Sequence, residues 1–207
     1  MDREIVVQTW LWRGIEDFYL AFALDEGHWR HYQPLFNYMG LEMFCKAYIL
    51  AERHSEYKVA NDQDAKRKID KIAKNYSHGL RKMLLEINNL IGDNKVNNLI
   101  SADYDSFTGD QIINVLEAAY IEIRYPVPEP ISKKFPIEGT NLHWYPLLSS
   151  GLSKFAYSVG REILCSLKNK FGINISKNEI EKCILVEESG IRFCRLFFND
   201  TIEKYAS

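Results

Sequence analysis

Two short polar islands carry the residues best suited to chemistry in this chain of 207 residues. One is Tyr76-Ser77-His78-Gly79-Leu80-Arg81-Lys82-Met83-Leu84; the other is Ile121-Glu122-Ile123-Arg124-Tyr125-Pro126. The imidazole of His78 can donate or accept a hydrogen bond, which suits ligand contact or general acid-base work. The guanidinium of Arg124, set beside a proline turn, offers the planar fork that binds carboxylate or phosphate. Each has an alternative reading as an ordinary helix-end residue: His78 satisfied by a neighbour, Arg124 paired with a helix dipole and stacked on Tyr120. Glu42 and Lys46, four apart, form either a semi-buried pair that orders a site or a surface pair of small energetic consequence. Lys66, Arg67, Lys68, Lys71, Lys74, Arg81 and Lys82 make the one local basic cluster, read either as solvated surface or as a patch for a nucleotide or RNA. With little aromatic interleaving beyond Tyr76, that cluster lacks an obvious stacking platform.

Other chemistries find no support in the spacing. The sequence holds no glycine-rich phosphate loop, HExxH or CxxC. His28 and His31 lack a third ligand nearby, so no metal is expected, and no cofactor. The scattered Cys45, Cys165, Cys183 and Cys194 read as reduced, mostly buried thiols of a cytoplasmic protein. A net charge of -2 provides no global attraction to polyanions. The longest apolar run, Phe18 to Leu24, is far too short for a bilayer, so no membrane partner is expected.

The elements that must position these residues are helical. Apolar spacing predicts helices over 4–25, with a break at Gly14, and over 35–53. A short basic helix within 58–75 should bury Ile69 and Ile72. Ser77 is the expected N-cap of a helix running to about Ile91. The stretch from Gly92 to Ser106 reads as loop with a helical turn near Val96 to Ile100. A helix from Asp110 must stop near Tyr125, because Pro126 follows. Pro126, Pro128, Pro130 and Pro136 then impose an extended linker. Leu148, Leu152, Phe155, Val159, Ile163, Leu167 and Phe171 keep strict helical spacing, with Gly172 as the stop. In the tail, Ser176 to Glu179 matches a capping box, while Ile184 to Glu188 and Ile191 to Phe198 favour a hairpin followed by a short helix from Asp200. The fold class is all-α, with that small hairpin as an appendage.

In this order the motifs resemble a HEPN domain, the helical family of higher eukaryotes and prokaryotes associated with nucleotide binding. The resemblance lies in Gly40-Leu41-Glu42-Met43-Phe44-Cys45-Lys46-Ala47 on an early helix, Ser77-His78-Gly79-Leu80 at a helix start and Ile123-Arg124-Tyr125-Pro126 at a helix end. It covers roughly 15–172, within a domain of 1–172, and leaves 173–207 as an extension. It implies an up-and-down helical bundle with a long C-terminal amphipathic helix. The implied ligand-binding residues are His78, Arg124, Tyr125, Glu42 and Lys46. HEPN ribonucleases place an Arg before a His with four to six residues between, and none of His28, His31, His54, His78 or His143 has one. Lys71 before His78 is the nearest imitation. The resemblance therefore implies a non-catalytic binding protein. A homodimer, a nucleotidyltransferase or other protein partner, and a place in a stress or phage-defence system go with it. The alternative is a divergent metal-independent ribonuclease using His78 with Lys71 or Arg124 as catalytic groups.

Overall fold

The computed structural model describes residues 1–25, 32–59, 61–124, 144–184 and 188–198, with the side chains of 25, 122–124, 144–149, 181–184 and 188 left aside. Its organising element is α2 (Gln33–Glu52), entered through Pro34 in the first turn, where the missing N–H costs nothing. Sixteen of its residues are buried, from Gln33 to Ala51, on all sides of the helix. A helix apolar all round belongs inside a bundle. Accordingly α1 (Arg3–Asp25), α4 (Asp62–Lys74), α5 (Leu80–Ile91), α7 (Gly109–Arg124) and α8 (Trp144–Phe171) all pack against it.

The α1–α2 contact is the most extensive in the molecule. Two glycines make it close. A methyl group on Gly40 would stand 2.4 Å from Phe18 Cδ1, and one on Gly14 would stand 2.5 Å from Phe44 Cδ2. Gly14 therefore does not break α1, as its isolated position suggested. It is a notch that receives the Phe44 ring. The core continues through Phe18, Phe44, Tyr157, Phe193 and Phe197, whose rings meet at centroid distances of 5.2 to 6.0 Å. Such edge and tilted contacts add modestly to the area they bury.

Shorter pieces fill the periphery. Arg53 links α2 to the single-turn α3 (His54–Tyr57), which the sequence did not foretell. Asn61 caps α4 by accepting from the Gln63 amide at 2.8 Å. α6 (Lys95–Ser101) occupies the stretch read as a loop with a helical turn. After it comes a two-residue-per-strand hairpin, β1 (Asp103–Tyr104) and β2 (Phe107–Thr108), antiparallel with Tyr104 opposite Phe107. Its turn residue Asp105 has φ +60° and is held on α8 by Ser150 and by Lys154 at 2.6 Å. Those two bonds also keep the Asp105 carboxyl below the ordinary carboxylate range. α8 stops where expected, at Gly172 with φ +71°.

The tail corrects the second strand of the hairpin reading, while residues 185–187 of the expected first strand lie outside the described residues. α9 (Lys177–Ile184) begins with the capping box: Ser176 N–H reaches Glu179 Oε2 at 2.7 Å, and Glu179 N–H reaches Ser176 Oγ at 3.2 Å. α10 (Glu188–Phe197) then takes the residues read as a second strand. Phe193, Cys194 and Phe197 are buried on one face of α10, which packs on α1 and α8. Tertiary burial of a helical stripe decides between two periods that a short apolar run leaves open. The helix expected from Asp200 and the proline-rich linker at 126–143 lie outside the described residues.

Candidate functional site

Three elements bring the site together. α2 supplies Tyr38, Glu42 and Lys46, four residues apart and so on one face of the helix. α7 supplies Tyr120. His78 comes from the turn between α4 and α5. That turn is tight: the Ser77 amide donates to Lys74 O at 2.9 Å and the Gly79 amide to Tyr76 O at 3.1 Å, with Ser77 at φ +44°. Ser77 is thus part of a turn rather than the expected N-cap. Gly79 holds the cap position of α5, and the side chain that serves the helix start is remote, with Glu117 Oε1 accepting from the Arg81 amide at 2.9 Å. A carboxylate there complements the exposed N–H groups and the dipole.

Glu42 is the hub. Its Oε1 accepts from Lys46 Nζ at 2.6 Å and meets His78 Nδ1 at 3.1 Å. The far ring nitrogen, His78 Nε2, lies 3.1 Å from the Tyr120 hydroxyl. In the neutral imidazole these partners assign the tautomer: Nδ1–H donates to the carboxylate and Nε2 accepts from Tyr120. The Tyr38 hydroxyl donates to the backbone carbonyl of His78 and so pins the turn to α2. Lys46 Nζ also stands 5.7 Å from the Trp10 ring centre.

Burial separates the members. The Glu42 side chain is 4% exposed and that of Lys46 9%, whereas His78 is 55% exposed. Glu42 and Lys46 are therefore a buried pair, because α2 is covered on all sides; their spacing alone fits a surface pair equally well. Burial, reinforced by the negative charge of Glu42, pushes the Tyr38 hydroxyl and the Cys45 thiol far up, so both stay protonated.

The chain matches no protein-family model, no curated protein and no solved structure. The geometry of the site therefore carries the functional argument.

Asp17, on α1, was not singled out by the sequence. It is fully buried, neither oxygen accepts a hydrogen bond, and its one counter-charge is Arg13 at 3.4 Å, itself half-exposed. Burial pushes its carboxyl up to about 6; Arg13 opposes the shift, while Glu16 and Glu42 add to it. A signal was present: Asp17 lies three residues after Gly14 and four before Ala21, both buried, and so shares their inward face. Tyr120, expected to stack on Arg124, instead meets the ring and Nε2 of His78, and neither Tyr38 nor Glu117 carries a local sequence signal for its contact.

The other expected site residues are dispersed. Arg124 closes α7, but its side chain and all of Tyr125 lie outside what is described, as do His28 and His31. Lys71 makes no hydrogen bond or ion pair with His78. It lines a shallow surface cavity of about 370 Å³ with Arg67, Asp70, Lys74 and Asn75. The basic cluster is smaller than its composition implied. Arg81 is committed to Asp110 and Asn114 of α7, and Lys82 lies 5.5 Å over the Tyr76 ring. Of the three cysteines whose side chains are described, Cys45 and Cys194 are buried and Cys165 is exposed, in line with mostly buried thiols, and the Cys183 side chain lies outside what is described. No helix among the described residues is long and apolar enough to cross a membrane, and no cluster of three metal-ligating side chains occurs among them.

Proposed function

We propose that this chain is a non-catalytic, HEPN-like helical binding protein that holds a nucleotide or other phosphate-bearing ligand beside His78. The observation that carries the reading is the anchoring of a half-exposed imidazole by a buried ion pair. Glu42, Lys46 and His78, three of the five site residues that the HEPN resemblance implies, meet at one carboxylate oxygen although His78 lies 36 positions beyond Glu42. A histidine so held is pre-organised, which lowers the entropic cost of binding a ligand.

The same contacts favour binding over catalysis. A general base needs a free lone pair within reach of the proton it removes. The Tyr120 hydroxyl occupies Nε2 and the Glu42 carboxylate faces Nδ1. Neither Lys71 nor another exposed cation of α4 has a hydrogen bond or ion pair with the ring, and the side chain of Arg124, the other partner a ribonuclease could use, lies outside the described residues.

Calorimetric titration with inorganic phosphate, AMP, ATP and a short RNA tests the reading on wild type and His78→Ala. At least one ligand should bind wild type, and the variant should bind it about tenfold more weakly, the loss of one good polar contact. No binding at millimolar ligand, or equal binding by both proteins, overturns the proposal. Incubation with total RNA should leave the RNA intact; cleavage that disappears in His78→Ala establishes the ribonuclease instead. The HEPN resemblance makes a homodimer the expected assembly, which the native mass tests directly.

A further inference from the structure

Tyr38, Tyr120 and His78 form a ladder of rings. Successive centroids are 4.5 Å apart, with tilts of 33° and 31°. Tyr38 is fully buried and Tyr120 nearly so, so His78 is the outermost rung. One face of its ring lies on Tyr120 and both nitrogens have partners, yet its side chain is 55% exposed. None of these contacts covers the ring face away from Tyr120.

The charged group in contact with the ring is the Glu42 carboxylate, 3.1 Å from Nδ1, which disfavours a phosphate there. Lys46 is committed to that same carboxylate. An uncharged planar ring suits the position, since bases splayed from a single strand stack on histidine and tyrosine side chains. Phosphates have a separate destination. Arg67, Lys71 and Lys74 line the α4 cavity together with Asp70 and Asn75, a net positive set, and Lys74 precedes His78 by only four residues. That span is at most about 14 Å even if fully extended.

We propose that the outer face of His78 stacks a nucleobase while the α4 cations take the phosphates of the same strand, so that the ligand is a single-stranded oligonucleotide. This rests on the reading of His78 as a ligand-contacting residue and names what it contacts.

Fluorescence anisotropy with a short labelled oligoribonucleotide and a base-free sugar-phosphate strand of equal length tests it. Wild type should prefer the base-bearing strand by about five- to 150-fold, the range for one stacked base. His78→Ala should bind both strands at the base-free level, and His78→Phe should keep the preference because it keeps a ring. Lys71→Ala with Lys74→Ala should weaken both strands alike and flatten the salt dependence. Circular dichroism and melting of each variant establish that it is folded. Equal binding of the two strands by wild type, or equal losses on both in His78→Ala, overturns the stacking proposal and leaves His78 as a polar contact. If His78→Ala changes the binding of no strand, nucleotide or phosphate, the functional reading above fails with it.

Discussion

Replacing Asp17 with Asn tests the electrostatics of the α1–α2 contact. The folded protein holds this carboxyl at about 6 against an ordinary 3.8, chiefly because the group is buried. The sign follows from linkage: a carboxyl whose pKa is raised on folding favours the folded state only while it keeps its proton. Below pH 3.8 both states are protonated and the group is neutral in effect. Between 3.8 and about 6 the unfolded chain ionises first, and stability falls. Above that the penalty is constant at about 3 kcal/mol, from 1.36 kcal/mol for each tenfold change in proton affinity. Because Asp17 is fully buried, solvent screening takes little from this figure. Asn keeps the shape and removes the charge. Urea unfolding of wild type and Asp17→Asn at pH 4 and pH 8 should give a gain for the variant of up to about 3 kcal/mol at pH 8 but only about 0.5 kcal/mol at pH 4, where the unfolded carboxyl has begun to ionise. For a chain of this size that corresponds to a rise in Tm of roughly 6–12 °C at the higher pH. A variant less stable than wild type at pH 8, or a gain of equal size at both pH values, refutes the assignment of a buried ionised carboxylate to this position.

Two further outcomes test the same helix pair and the hub. Gly40→Ala should destabilise by about 1–3 kcal/mol, since its new methyl group would stand 2.4 Å from Phe18 Cδ1 and the packed ring must move; thermal melting reads the loss directly. Glu42→Met and Lys46→Met should each cost about 3–5 kcal/mol, because either leaves a buried charge unpaired. The double variant Glu42→Met with Lys46→Met should cost far less than the sum of the single changes, and a double-mutant cycle by urea unfolding reads the coupling. Water can satisfy His78 Nδ1 in that double variant, since the ring is half-exposed.

Local periodicity made much of the fold legible. α8 follows from seven apolar residues at strict helical spacing, and its end from a glycine that tolerates φ +71°. The capping box at Ser176 and Glu179 marked α9. These signals are short-range, so the chain displays them wherever the helix sits. The failures arise where tertiary contacts decide. In α10, the stretch from Ile191 to Phe198 is compatible with a strand until α1 presents Tyr19 and Phe22 to Phe193. The tiny hairpin at 103–108 is held by Asp105 reaching residues 45 and 49 positions away on α8.

The candidate site shows the same division more sharply. Sequence motifs singled out His78, Glu42 and Lys46, but the spacing rule used to judge catalysis looks only a few residues upstream of His78. The groups that govern its ring come from much farther off, Glu42 at a separation of 36 and Tyr120 at 42. An upstream basic residue such as Lys71 belongs to α4 and lines that helix's own cavity. The chemistry of His78 is therefore set by how α2 and α7 close over the turn after α4. Tyr120 holds the lone pair that a general base would use, Glu42 fixes the opposite nitrogen, and neither contact covers the ring face away from Tyr120. A ligand that needs Nε2 must displace a tyrosine hydroxyl from a stacked, nearly buried ring, whereas one that stacks on the outer face disturbs none of these bonds.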